Sequence, residues 1–240
     1  MTEQKIFERY ELKYLMTEAE YQKFMERIFH EICPDLYPTS SICNIYYDTP
    51  DYSLIRASLD HPVYKEKLRL RSYGVPMDDG KVFLEIKKKY EDVVYKRRET
   101  FSLSSAEEFL ESPEPFSQIT KEIAYFLSFY KSLQPAMALF YERTSFCGKD
   151  DPSLRITFDR KILYRDYDLD LKKGVYGASA IPAGTLLMEI KCAGALPLWL
   201  CRAISEQKIN KTSFSKYGKA YSDLNFNNKG GCDNYEELVS

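Results

Sequence analysis

Histidine is nearly missing from this chain of 240 residues, which has only His30 and His61. That scarcity argues against histidine-based metal cages and against a histidine-centred nucleophilic triad. Cysteine offers little more. The six residues Cys33, Cys43, Cys147, Cys192, Cys201 and Cys232 are scattered and include no C-x-x-C pair, so the close spacing of a structural zinc site is absent. Neither a G-x-x-x-x-G-K-[ST] nor a G-x-G-x-x-G stretch occurs, which leaves side chains, rather than a backbone cradle, to hold any phosphate. No apolar run approaches the roughly 20 residues that cross a bilayer as a helix. The first residues carry no apolar signal region, so the expected setting is the cytoplasm, with the thiols reduced. A formal net charge of −2 does not describe a general nucleic-acid binder, and no nucleic-acid partner is expected.

What the chain does contain is charge at every second residue. The runs are Arg9-x-Glu11-x-Lys13, Lys67-x-Arg69-x-Arg71, Glu85-x-Lys87-x-Lys89 and Glu189-x-Lys191, and Leu154-Arg155-Ile156-Thr157-Phe158-Asp159 opens another. Strand side chains alternate between faces, so each run gathers its charge on one face and its apolar residues on the other. On one strand this is the pattern of a half-buried sheet with a solvated outer surface and cross-strand ion pairs. Shared by four or more strands with amphipathic helices between them, it describes a concave surface crowded with guanidinium and ammonium groups. Such a surface needs a polyanion.

The spacing predicts one domain over residues 1–226 and a polar tail over 227–240. Strands are expected at 5–15, 42–48, 63–73, 82–90, 93–103, 136–146, 154–164 and 185–191. Thr17 with Glu20, and Ser104 with Glu107, read as capping boxes. Helices are expected at 17–32, 51–59, 117–133, 197–209 and 215–224, and residues 166–182 as loop. Eight mostly hairpin-connected strands can close on themselves and lose their edges. The expected fold is therefore α+β, a closed eight-stranded antiparallel β-barrel with helices packed outside. Its apolar alternates would lie beneath the helices, and its charged face would line a hydrated tunnel.

On that inner face Lys13, Arg69, Arg71, Lys87, Arg143 and Arg155 supply cations, while Glu11, Glu85 and Glu189 supply carboxylates. So many cations in a partly desolvated space are costly unless an anion neutralises them. Arginine forks can grip phosphoryl oxygens bidentately, and lysines act as point charges. Carboxylates among them make sense if a divalent metal lies between carboxylate and phosphate. Glu91, Asp92, Lys96, Arg97 and Arg98 fit a tunnel rim or a charged hairpin equally well, and Lys88 and Lys89 can face solvent.

The ordered set Arg9-Tyr10-Glu11-Leu12-Lys13-Tyr14, Ile45-Tyr46-Tyr47-Asp48-Thr49, Lys67-Leu68-Arg69-Leu70-Arg71, Phe83-Leu84-Glu85-Ile86-Lys87, Tyr141-Glu142-Arg143-Thr144, residues 154–159, Met188-Glu189-Ile190-Lys191 and Phe214-Ser215-Lys216-Tyr217 resembles the catalytic domain of the vacuolar transporter chaperone family. That domain is a polyphosphate polymerase of the triphosphate tunnel metalloenzyme superfamily. The resemblance implies ATP and inorganic polyphosphate as substrates and a divalent metal, Mn2+ or Mg2+, as cofactor. It implies that Lys13, Arg69, Arg71, Lys87, Arg143 and Arg155 hold the triphosphate and the growing chain. Glu189 would be the metal ligand, and Ser215 and Lys216 would come from the last helix to cover the phosphates. Triphosphatases and class IV adenylyl cyclases of the CYTH type open with Glu-x-Glu-x-Lys. Here Arg9 takes the first position, so one metal-binding carboxylate is missing, which favours the polymerase. Two other outcomes stay open: hydrolysis of tripolyphosphate or a nucleoside triphosphate, and a silent sensor of polyphosphate or inositol phosphates. No transmembrane segment is read in the chain, so a membrane-protein partner is one candidate, and the fate of the product stays open.

Overall fold

The computed structural model describes residues 6–60, 62–91 and 93–229. The elements follow from local chemistry. Strand β1 (Ile6–Thr17) passes into α1 (Glu18–Ile28) through the expected capping box. Glu20 N donates to the Thr17 hydroxyl at 3.2 Å, and Thr17 N donates to the Glu20 carboxylate at 2.7 Å. The helix stops at Ile28 rather than near 32, because β2 (Ile32–Asp48) begins there, far ahead of the expected residue 42. Its ladder with β6 (Gln134–Gly148) starts at Ile32↔Gly148 and shifts register between Pro34 and Thr39. Pro34 and Pro38 give this stretch no N–H to share, and in the sequence they disguise it as a break.

After α2 (Ser53–Leu59) come β3 (Tyr64–Tyr73), β4 (Lys81–Tyr90) and β5 (Val93–Ser102), the expected antiparallel meander. Helix α3 (Leu103–Glu111) is capped by Ser102, not Ser104, since Ser105 N donates to the Ser102 hydroxyl at 3.2 Å. Then follow α4 (Gln118–Tyr130), β6, β7 (Arg155–Arg165), the two-residue β8 (Ala178–Ser179), β9 (Thr185–Cys192), α5 (Leu198–Glu206) and α6 (Lys216–Lys229). The last helix thus outruns its expected end at 224, and the tail expected beyond it lies outside the described residues from 230 onward. The loop over 166–182 is organised by buried Arg165, which donates to the carbonyl oxygens of Tyr167, Asp168, Asp170, Gly174 and Tyr176.

The strand order is β6-β2-β3-β4-β5-β1-β9-β7-β8, every ladder is antiparallel, and β6 also pairs with β7. The fold is α+β as expected, but the sheet has nine strands and not eight. β9 accompanies β7 only over Arg155–Asp159, and beyond that point β7 carries β8 instead. Lys161, with φ 48°, marks the irregularity.

Helices cover the apolar face. Leu68, Leu70, Leu84 and Ile86 pack under Ala106 and Phe109 of α3 and Ile119, Ile123 and Phe126 of α4. Tyr14, Ile156, Phe158, Met188 and Ile190 pack under Phe24 and Ile28 of α1 and Leu200 and Ala203 of α5. Each fully buried leucine, isoleucine, phenylalanine or methionine among them contributes about 1.5–3 kcal/mol. The opposite face is not charged throughout, which corrects the expectation of a wholly hydrated lining. Ile42, Tyr46, Met137, Leu139 and Tyr141 join Ile55 of α2 and Tyr217 and Ala220 of α6 in a third apolar cluster. Gly218 permits this approach, because a β-carbon there would stand 3.0 Å from Leu59 Cδ2.

One carboxylate ties these parts together. Asp48, fully buried at the end of β2, accepts from Leu54 N at 2.9 Å, Ile55 N at 3.0 Å and the Tyr217 hydroxyl at 2.9 Å. It caps α2 and holds α6 at once. Asp48→Ala strips acceptors from three buried donors, and we expect a loss of about 3 kcal/mol or more. Tyr217→Phe removes a single bond and costs about 1–2 kcal/mol. Urea midpoints at unchanged m-value measure both, and equal losses would show that Asp48 acts only through Tyr217.

Candidate functional site

Register alone brings the charged residues together. Lys13 faces Glu189 and Glu11 faces Lys191 across β1 and β9, and Asp159 faces Arg143 across β7 and β6. Arg69 faces Glu85 and Lys67 faces Lys87 across β3 and β4, while Lys87 faces Lys96 across β4 and β5. Directly opposed residues share a face, so these groups all converge on the side away from helices α1, α3, α4 and α5.

Four carboxylates organise the cations. Glu189, 5% exposed, accepts from Lys216 Nζ at 2.7 Å through one oxygen, and from Lys191 Nζ at 2.9 Å and Arg143 Nη2 at 3.2 Å through the other. Asp159 takes the Arg143 fork at 2.6 and 2.7 Å and Lys216 Nζ at 2.6 Å. Glu11 holds Lys87 at 2.9 Å and Lys13 at 3.2 Å, and Lys13 Nζ also donates to the Phe214 carbonyl at 3.0 Å. Glu85 holds Arg69 Nε at 2.6 Å and Lys96 Nζ at 2.5 Å. Tyrosines and an amide complete the arginine contacts. Arg69 donates to the Tyr46 hydroxyl at 3.1 Å, and Arg71 donates to Asn44 at 3.0 Å and to the Tyr141 hydroxyl at 3.2 Å.

Protonation follows from this packing. Burial opposes ionisation of Glu189, yet Lys191, Lys216, Lys13 and Arg143 hold its carboxyl well below the usual range. Glu85 is held low in the same way by Arg71, Arg69 and Lys96. Burial favours the neutral form of Lys65, Lys67, Lys96 and Lys191, and two of these are lowered furthest. Burial, with Lys13, Lys87, Lys65 and Arg69 close by, pushes Lys67 down to about 7. Burial also pushes Lys96 down to about 7, where Arg71 and Arg69 oppose the support of Glu85. In a lysine lowered so far, desolvation and like-charge neighbours outweigh whatever negative charge lies close by.

The structure brings together Lys13, Arg69, Arg71, Lys87, Arg143, Glu189 and Lys216 among the residues expected from sequence. Ser215 caps α6, where Gly218 N donates to its hydroxyl at 3.2 Å, and the same oxygen accepts from Lys67 Nζ at 3.2 Å. Arg155 does not join the carboxylate nodes. It opposes Lys191 in the ladder but pairs with Asp35, and its side chain is 39% exposed. Sequence reasoning missed Lys67, Asp159 and Lys191 as site residues and left Lys96 undecided. The signal for the first three was present, since each lies in step with an assigned neighbour: Lys67 with Arg69, Asp159 with Arg155, Lys191 with Glu189. The side chain of Arg9 lies outside the described residues.

Among the described residues no three histidine, cysteine, aspartate or glutamate side chains converge to cage a metal ion. Glu11 and Glu189 are nonetheless ionised, desolvated and close enough to oppose each other's charge. Such oxygen donors suit a hard cation that takes its remaining ligands from phosphate. Their oxygens are occupied by ammonium and guanidinium groups, and an arriving polyanion that draws those cations away would free them. The donor set fits an ion shared with bound phosphate, not one held by protein alone.

The VTC domain family matches this chain over residues 8–225. Vacuolar transporter chaperone complex subunit 4 of Schizosaccharomyces pombe is 26% identical over an alignment 148 residues long, which covers 51% of this chain and 20% of that protein. The matched stretch therefore spans only a fifth of that relative's length. Two solved structures share the fold. One is a putative adenylate cyclase from Bacillus halodurans, with a TM-score of 0.56 and 13% identity over 88% of this chain and 96% of that one. The other is a putative adenylyl cyclase from Hippeastrum with a dominant triphosphatase activity, with a TM-score of 0.55 and 16% identity over 92% and 96%. With a match that runs from its first strand into its last helix, this chain belongs to the VTC domain family.

Proposed function

We propose that the chain is an ATP–polyphosphate phosphotransferase, which adds the γ-phosphate of ATP to a growing inorganic polyphosphate in a tunnel lined by the charged face. One observation carries this reading. The inner cations outnumber the four carboxylates that hold them, and burial together with neighbouring cations drives Lys67 and Lys96 down to about 7.

In this reading Lys13, Arg69, Arg71, Lys87 and Arg143, together with Lys67, grip the triphosphate and the chain end. Lys216 and Ser215 cover them from the start of α6. Arg155, half-exposed beside Asp35, receives the chain further out. Glu189, with Glu11, would hold a divalent metal, Mn2+ or Mg2+. When bound, that ion would add positive charge to phosphoryl oxygens and ease departure of ADP. The protein's own contribution is positioning and fixed positive charge, which dominate phosphoryl transfer. A chain-end phosphate is already ionised at neutral pH and needs no strong base, in keeping with a site built without histidine. As the anion arrives, Lys67 and Lys96 take up protons and become full cations.

A second reading is hydrolysis of tripolyphosphate or a nucleoside triphosphate. It draws support from the likeness in fold to the Hippeastrum protein, which has a dominant triphosphatase activity. The cytoplasm remains the expected setting. No helix among the described residues is long and apolar enough to cross a membrane. The S. pombe relative is a complex subunit, and partner subunits, a membrane protein among them, belong to this proposal.

Incubation of the purified protein with ATP and Mn2+ should give chains that stain for polyphosphate on a gel. Arg69→Ala should lower that synthesis about 100-fold or more while the circular dichroism spectrum is kept. Undiminished synthesis by the folded variant removes Arg69 from the site. Orthophosphate without chain growth selects hydrolysis, and tight anion binding without turnover selects a sensor.

Glu189→Gln should part binding from chemistry. With one carboxylate fewer among the cations, metal-free ATP should bind at least as tightly as before, while metal-dependent turnover falls about 100-fold or more. Turnover close to that of the unaltered protein would exclude Glu189 as the metal ligand.

The lowered lysines set a pH dependence of known sign. Without a bound anion, Lys67 and Lys96 lose their protons near pH 7, whereas bound phosphate keeps them charged to higher pH. Metal-free ATP should therefore bind with proton uptake and weaken above pH 7, by up to roughly tenfold per pH unit for each lysine. Calorimetry in buffers of different ionisation heat measures the uptake, and Lys67→Met should reduce it. For the unliganded fold the same shift makes stability rise from about 7 toward the ordinary lysine value of 10.5, because the unfolded lysine keeps a proton that the folded one has released.

A further inference from the structure

Cys33 and Cys147 stand directly opposite each other in the β2–β6 ladder, with their sulfurs 3.1 Å apart. We propose that they are a disulfide-forming pair, oxidised reversibly by small-molecule disulfides of the glutathione class, and that the bond ties the start of β2 to the end of β6. This rests on the ladder geometry and not on the phosphate reading above.

The two strands already hold the pair in place. Ile32↔Gly148 and Pro34↔Phe146 flank it in register, so closing the gap to the ~2.05 Å of a formed bond asks about 1 Å of the side chains and nothing of the sheet. Each sulfur also lies 3.7 Å from the other residue's carbonyl oxygen, the mutual placement of a matched cross-strand pair. Both residues are half-exposed, within reach of a dissolved oxidant, while Cys43 and Cys192 are buried. Cys201, also half-exposed, turns instead to the Leu196 carbonyl at 3.9 Å.

The surroundings give the bond something to control. Just past Cys33 the ladder shifts register between Pro34 and Thr39, and Leu36 and Tyr37 project with 71% and 75% exposure. Asp35 in that stretch is the partner of Arg155, and Arg155 itself opposes Cys147 across β6 and β7. A cross-link at Cys33 fixes the root of this irregular segment beside the outermost of the expected phosphate ligands.

The chemistry balances without a further reagent. A Cys33 thiolate attacks one sulfur of oxidised glutathione, forms a mixed disulfide and expels one glutathione thiolate. Cys147, its thiol pushed up to about 11 by the hydrogen bond it shares with Cys33, is the slower nucleophile and resolves second. Its thiolate attacks the Cys33 sulfur and expels the second glutathione. Two protons leave the protein, two electrons pass to the glutathione disulfide, and excess thiol reverses both steps. In a reducing compartment the bond would form only under oxidative load.

The test uses the full chain, equilibrated natively across a series of reduced and oxidised glutathione ratios and then trapped with an alkylating agent. Non-reducing peptide maps should show a Cys33–Cys147 link that dithiothreitol removes. Because the bond closes a span of 114 residues, the melting temperature should rise by about 5 °C or more. Cys33→Ser and, separately, Cys147→Ser should remove both the link and the shift in a protein that still melts cooperatively. Persistently free thiols in the most oxidising mixture, a link through other cysteines, or a glutathione adduct on Cys33 that never resolves would each overturn the proposal.

Discussion

Repulsion among cations on one face of a sheet is the constraint around which this molecule is arranged. Strand alternation forces Lys13, Lys67, Arg69, Arg71, Lys87, Lys96, Arg143 and Lys191 to the same side, and Lys216 joins them from α6. Burying such groups costs several kcal/mol per ion unless partners surround it. Glu11, Glu85, Asp159 and Glu189 are those partners, each held by two or more cations. They reduce the repulsion without cancelling it. The apolar clusters beneath α1, α3, α4 and α5 supply the stability that lets the sheet carry the remaining charge.

The two kinds of cation divide the work. Arg69, Arg71 and Arg143 are bonded to carboxylates, tyrosine hydroxyls and an amide. A guanidinium stays charged however it is buried, so these three form a fixed positive wall. The lysines are adjustable. Lys216 between Asp159 and Glu189 is held firmly protonated, while Lys67 and Lys96 hover near neutrality. Whatever anion enters finds some of its countercharge permanent and some of it formed on arrival.

Much of this was legible in the sequence because a period of two is a strong constraint. Once Arg69 is placed inside, Leu68 and Leu70 must lie outside, and the clusters under α3 and α4 bear that out. The meander and the first capping box follow from equally local signals. The third apolar cluster had no such signature. In Ile42-Cys43-Asn44-Ile45-Tyr46-Tyr47 both faces carry apolar residues, so parity cannot tell which side meets charge and which meets α6. The early part of β2 was hidden because proline argues against a strand, although here the irregular ladder absorbs it. Ser102, Ser104 and Ser105 lie so close together that the cap could not be chosen by spacing. Lys216 came only from family resemblance, since its position depends on a long-range contact that no periodicity encodes.

That contact bears on how the site can move. Helix α6 is moored at Tyr217, whose ring stacks on Tyr46 at 4.7 Å and whose hydroxyl is held by Asp48. Lys216 is the adjacent residue, so its ammonium projects from an anchored stub and not from a swinging flap. A guest that meets this lysine has to thread toward it past side chains alone, because the backbone that carries it is already bolted down before anything binds.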